Sequence, residues 1–129
     1  MKPLTMEWST WNESFNRRVE TWDQILGLLG VLMTETDPPR MLMLSDDGKR
    51  ELGMGLGREM TVLTYQDSLD PPYFISLGSS EEGVDWFCYG MERTEYLARN
   101  LVSIDVILPT LRAFVDQPGR PTTVEWEQL

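Results

Sequence analysis

Three features of the sequence predict an α+β fold: a curved antiparallel sheet of about six or seven strands covered by two helices. Two stretches carry apolar residues at helical spacing, whereas the segments between them are short, strand-like and bounded by turn residues. Turn signals recur about every 8 to 13 residues, which suits hairpins and leaves no room for parallel crossovers. The chain has 129 residues and no repeat or low-complexity linker, so residues 1–129 are expected to form a single domain. A chain of this size buries roughly two thirds of its unfolded surface.

The first helix is predicted from Trp22, Ile25, Leu26, Leu29, Leu32 and Met33, which form one stripe. Thr21 and Gln24 have the spacing of a capping box, and Asp37-Pro38-Pro39 ends the segment. Gly27 and Gly30 lower its helix propensity, which suggests close backbone packing against a sheet. The second helix repeats the template with Ile104, Ile107, Leu108, Leu111, Phe114 and Val115. With Asp105 as its cap, Pro109 falls at the end of the first turn and loses one backbone bond. The expected strands are Arg40–Leu44, Arg50–Leu56, Met60–Tyr65, Tyr73–Leu77, Asp85–Tyr89 and Thr122–Trp126, with Leu4–Trp11 adding another.

Composition excludes several function classes. Acids outnumber bases 21 to 11, a net charge of −10, which leaves no basic footprint for nucleic acid or an anionic membrane. Histidine is absent, and the single Cys88 has no partner for a disulfide or a Cys-cluster zinc site. Cys88 lies mid-strand with no histidine to activate it and reads as an inert buried thiol. Residues 1–13 have no apolar signal region, so the cytoplasm is the expected compartment.

The glycine run Gly53-Met54-Gly55-Leu56-Gly57 lacks the third glycine of a dinucleotide fingerprint, because Arg58 stands there. A glycine-rich strand with bulges is the better reading. Asp46-Asp47-Gly48 lacks the alternating oxygen ligands of a calcium loop. No cofactor, metal site or catalytic residue is therefore expected.

The informative pattern is the distribution of charge. From Glu59 through Glu92 there are seven acids and no Lys or Arg. They concentrate in two turns, Asp67 with Asp70 and Glu81-Glu82 with Asp85, which are expected to project from one end of the sheet. Such a stretch is either a solvated face or a docking surface for a basic partner. Among the five tryptophans, Trp22 and Trp86 sit on apolar stripes and are expected in the core. Trp8 and Trp11, three residues apart in a polar stretch, should leave at least one indole exposed. Asp67, Asp70, Tyr73, Glu81, Glu82, Asp85, Asp46, Asp47, Trp8 and Trp11 are thus the candidate partner-binding residues.

Near the C-terminus, a helix carrying Phe114 leads through Gly119-Arg120-Pro121 to a strand with Val124-Glu125-Trp126. This pattern resembles the Imm1 family of bacterial immunity proteins, as do the acidic charge, the length and the α+β order. The resemblance implies a protein without chemistry of its own that neutralises a cognate toxin with a basic surface, often a nucleic-acid deaminase of a polymorphic toxin system. An acidic protein can occlude a basic, nucleic-acid-shaped cleft by imitating phosphate charge, so occlusion of the toxin active site is the expected mode, by a protein expected to be monomeric when free. Phe114 and Trp126 lie on apolar faces and are expected to be fold residues. Two alternatives come from other classes. A small acidic secretion chaperone would use its eight methionines in apolar grooves. An enzyme with an Asp–His dyad is disfavoured by the missing histidine.

Overall fold

A computed structural model describes residues 1–46, 49–79 and 83–129. The elements are β1 (Leu4–Ser9), β2 (Ser14–Val19), α1 (Trp22–Thr34), β3 (Arg40–Asp46), β4 (Arg50–Leu56), β5 (Met60–Gln66) and β6 (Tyr73–Leu77). They continue with β7 (Val84–Tyr89), β8 (Glu92–Leu97), β9 (Leu101–Ser103), α2 (Ile107–Asp116) and β10 (Glu125–Gln128). Among the described residues ten strands form an open sheet whose main path runs β10-β6-β5-β4-β3-β1-β2. Neighbours pair antiparallel; β7 meets β3 through the single parallel pair Arg40–Cys88, and β9 pairs with the first half of β5. The α+β expectation holds, with more strands than expected.

The additional strands are β2, β8 and β9. β2 and β8 are mostly exposed and polar, so they carry no apolar alternation for a sequence to display. Pairing defines them instead: β2 runs along all of β1, and β8 along all of β7. The β7–β8 turn is two residues long, with Gly90 and Met91 both at positive φ, the conformation that matches strand twist. The last strand starts three residues after the expected Thr122, behind a segment where buried Pro121 offers no donor.

Both helices cover the same face. Ile25, Leu28, Leu29 and Leu32 of α1 join Ile107, Leu111 and Phe114 of α2 over Leu42, Leu44, Leu52, Met54 and Leu63 of the central strands. The Thr21–Gln24 capping box forms as expected. Leu26, Met33 and Leu108, expected on the apolar stripes, are exposed, and Leu28 and Thr110 are buried in the helix faces. Gly27 and Gly30 do not mark close packing, since a Cβ at either would meet nothing within 4 Å. Asp105 does not cap α2. Ser103 caps a preceding 3-10 turn, and α2 begins at Ile107, so Pro109 sits among first-turn positions that have no intrahelical donor bond to lose.

Arg50 ties α2 to the β3–β4 hairpin. Its guanidinium donates to Asp46 (2.7 Å) and to the carbonyls of Phe114 (2.7 Å), Gln117 (3.0 Å) and Gly119 (2.9 Å), while lying 4.2 Å from the Phe114 ring centre. Those carbonyls are at and just beyond the helix end, where intrahelical donors run out.

A second, smaller core lies on the opposite face, where Phe87, Ala98 and Leu101 pack over Met41, Val62 and Ile75. Here the β4 glycines matter. A Cβ on Gly55 would lie 2.6 Å from the Phe87 ring, so only glycine lets the β7–β8 layer settle. The β3–β4 register is unbroken through Gly53 and Gly55, so that ladder has none of the expected bulges, and close approach explains both glycines. Gly55→Ala should therefore destabilise by about 1–3 kcal/mol. Gly27→Ala, in open space on a helix, should stabilise by about 0.5–1 kcal/mol. Urea unfolding of the two variants measures both, and equal effects would refute the contrast.

Candidate functional site

Strand alternation sorts the side chains that face away from the helices. On β1, β3 and β4 these include Glu7, Ser9, Met41, Met43 and Glu51, while Met6, Leu42, Leu44 and Leu52 enter the helix-side core. The β7–β8–β9 layer covers only part of this second face. What stays open forms two adjoining hollows of about 330 and 220 Å³, which share Met41, Met43, Glu51 and Tyr89. Asn16 and the Trp8–Phe15 pair border the larger; Tyr73, Tyr96 and Leu129 border the smaller. Among the described residues neither hollow is lined by Lys or Arg.

The register places the acids. Glu7 is opposite Met43 of β3, and Glu51 is opposite Ser45, so the carboxylates sit two strands apart, about 10 Å laterally. Burial, then the charge of Glu7, raises the Glu51 pKa. Tyr89 is also pushed up, by burial first, then by Glu51 and Glu7. Burial and the neighbouring Tyr89 push Tyr96 up to about 12. Glu7, Glu51 and Tyr89 thus share one electrostatic environment.

The candidates read from the sequence do not form one cluster. Asp46, Asp67, Asp70 and Tyr73 gather at one end of the sheet, because Asp46 pairs with Arg50, Glu51 with Gln66, and Gln66 with Tyr73. Asp46 forms an ion pair with Arg50 at 2.7 Å, and Asp67 accepts the Tyr65 hydroxyl at 2.7 Å. Asp70 is exposed, and the half-buried Tyr73 donates its hydroxyl to the Leu69 carbonyl. The expectation that both acidic turns leave from one end is wrong. The first precedes β6 and the second follows it, so they leave opposite ends of that strand. Asp85 lies at the far end and is paired with Arg58 at 3.1 Å. Asp47, Glu81 and Glu82 fall outside the described residues.

The tryptophans also divide. Trp8 is half-buried and stacks on Phe15 at 5.6 Å, whereas Trp11 is 45% exposed and stacks on Trp86 at 5.6 Å. Trp86 is outside both buried clusters, contrary to expectation; it is half-buried beside Arg58 and Arg93, whose charges lie 4.8 and 4.9 Å from its ring. Trp22 packs against the main core, as does Trp126, whose indole N–H donates to the Pro121 carbonyl at 2.7 Å.

Sequence reasoning missed Glu7, Glu51 and Tyr89. A partial signal was present in Glu51-Leu52-Gly53-Met54-Gly55-Leu56, where the two-residue period puts Glu51 on the glycine face. Among the described residues no group of three or more His, Cys, Asp or Glu has the arrangement of a metal site. No described helix is long and apolar enough to cross a membrane.

The family model described as immunity protein Imm1 matches residues 14–128. The chain belongs to the Imm1 family. Membership supports a role in immunity to a toxin, with that toxin as the partner. No curated protein matches the chain. The matched span runs from the first residue of β2 to the last of β10; β1, which carries Glu7 and Trp8, precedes it. Glu51 and Tyr89 lie within it.

The raised Glu51 pKa makes this immunity protein's stability depend on pH. A carboxyl whose pKa rises on folding favours the native state when protonated. Its contribution is full below the ordinary value of 4.5 and is lost as pH rises through the higher native value. Glu51→Gln should therefore melt at a higher temperature than wild type near neutral pH, with the gap closing on acidification. A gap that does not change with pH, followed by circular dichroism, would contradict this origin.

Proposed function

We propose that this protein neutralises its cognate toxin in the cytoplasm by binding over the toxin's active site, with its open sheet face and the adjoining acidic end set against a basic cleft. A toxin acting on nucleic acid, such as a deaminase, presents a cleft of that kind because its substrate is a polyanion. The observation that carries the reading is the lining of the open face: among the described residues, two carboxylates, four tyrosines and no Lys or Arg. Asp67, Asp70 and Tyr73 extend this surface past the smaller hollow, and Asp46 stands at the same end. Charge of one sign speeds encounter, while aromatic and methionine contacts slow release. Trp11, exposed at the other end, offers an aromatic anchor outside the groove. Occlusion of this kind needs no catalytic group and no cofactor from the immunity protein, which acts as one monomer per toxin.

Co-expression with the product of the neighbouring reading frame tests the reading. That product alone should arrest growth, and this protein should restore it. A product that is harmless by itself would sink the proposal. In vitro, the association rate should fall markedly between about 50 and 500 mM salt while dissociation changes little, because screening acts on encounter. Stopped-flow mixing at several salt concentrations would show this; an association rate indifferent to salt would reduce the acidic surface to a solubilising role.

A further inference from the structure

Within the toxin-binding reading, on which this inference rests, we infer that the larger hollow is a socket for one lysine or arginine side chain of the protein partner. Glu7 and Glu51 are its counter-charges, Tyr89 its wall, and Met43 the floor between the acids.

Seven of the chain's eleven Lys and Arg residues are engaged elsewhere. Arg50, Arg58, Arg93, Arg112 and Arg120 each lie over an aromatic ring at 4.0–4.9 Å. Arg40 pairs with Glu35, and Arg99 with Glu127. Among the described residues no ion pair includes Glu7 or Glu51, and no cation lies over Tyr89. Arg18, on β2 one pleat from Asn16, the partner of Glu7, forms an ion pair with neither acid. The free protein therefore holds a half-buried carboxylate facing a second one without compensation, and an incoming cation removes that cost.

The lining selects the type of cation. Metal ions need converging oxygens, but here the acids are separated by a methionine. Met41 and Met43 supply apolar surface for the aliphatic stem of Lys or Arg. Tyr89 supplies a ring face for its charged head. A volume of about 330 Å³ is at the floor of the roughly 300–1,000 Å³ typical of small-molecule pockets, and the adjoining hollow is smaller. This is room for side chains of a docked protein surface. Flexible methionines let the socket adapt to either cation.

The test has two arms. In the first, the full chain labelled with ¹⁵N is titrated with acetyl-Gly-Gly-Arg-Gly-Gly-amide and with the same peptide carrying citrulline. Saturable shifts are expected at the amides of Glu7, Met43, Glu51 and Tyr89 for arginine only. Equal shifts with citrulline, or shifts confined to Asp67–Asp70, overturn the socket. In the second, the neighbouring reading frame's product is titrated with wild type and with the Glu7→Gln/Glu51→Gln double variant.

The variant should bind at least about tenfold more weakly while unfolding at no lower temperature. Equal affinity overturns the socket and leaves immunity by binding intact. Failure of the wild type to bind sinks the immunity reading itself, and the peptide arm then decides the socket alone. A dimer of the free protein in light scattering, dispersed by the double variant, would assign the socket to a second copy of this chain and overturn the partner stated here.

Discussion

The contact between the Phe87 ring and the backbone of Gly55 sets the shape of the uncovered sheet face. Without a Cβ at Gly55, the β7–β8 hairpin lies directly on β4, and its tip carries Tyr89 to the edge of the uncovered area. Any side chain at position 55 would lift the hairpin and open the wall of the hollow. The same contact seeds the smaller core, so the second layer and the groove share one cause. At the opposite end of that layer, Ser76 and Asn100 lock β6 to the turn before β9: the Ser76 hydroxyl donates to the Asn100 carbonyl at 2.6 Å, and the Asn100 amide donates to the Ser76 carbonyl at 2.9 Å. These buried bonds are mutual, which fixes the layer's position along the sheet as well as its height.

Charge follows the same division between fold and function. The stretch from Glu59 to Glu92 contains no base, yet the arginines that flank it fold back upon it. Arg58 pairs with Asp85, and Arg58 and Arg93 both stack on Trp86. The far end of the sheet is thereby partly neutralised and aromatic. The near end keeps Asp67 and Asp70 beside a groove with two more carboxylates. Among the described residues Asp85 at the far end is thus paired, whereas Glu7 and Glu51 in the groove are in no ion pair.

The elements that could be read in the sequence are those that bury one face. Both helices, β3 through β7 and the capping box at Thr21 display their periods because packing imposes them. β2 and β8 bury almost nothing and were invisible for that reason. Asp67, Asp70 and Tyr73 were recognised from local turn chemistry, which needs no partner. Glu7, Glu51 and Tyr89 carry no local mark: one precedes Trp8, one follows Arg50, and one ends a strand beside Cys88.

The sequence by itself determined the fold class, the family resemblance near the C-terminus and the acidic, histidine-free composition. These are additive or periodic properties, and each is complete within a short window of chain. Only the tertiary structure decided where the charge points and what stands beside it. Glu7, Glu51 and Tyr89 come from three strands widely separated in the chain, and strand register brings them to one face. A shift of one residue in that register would turn Glu7 or Glu51 into the helix-side core. The groove is therefore a property of pairing, which no single segment encodes.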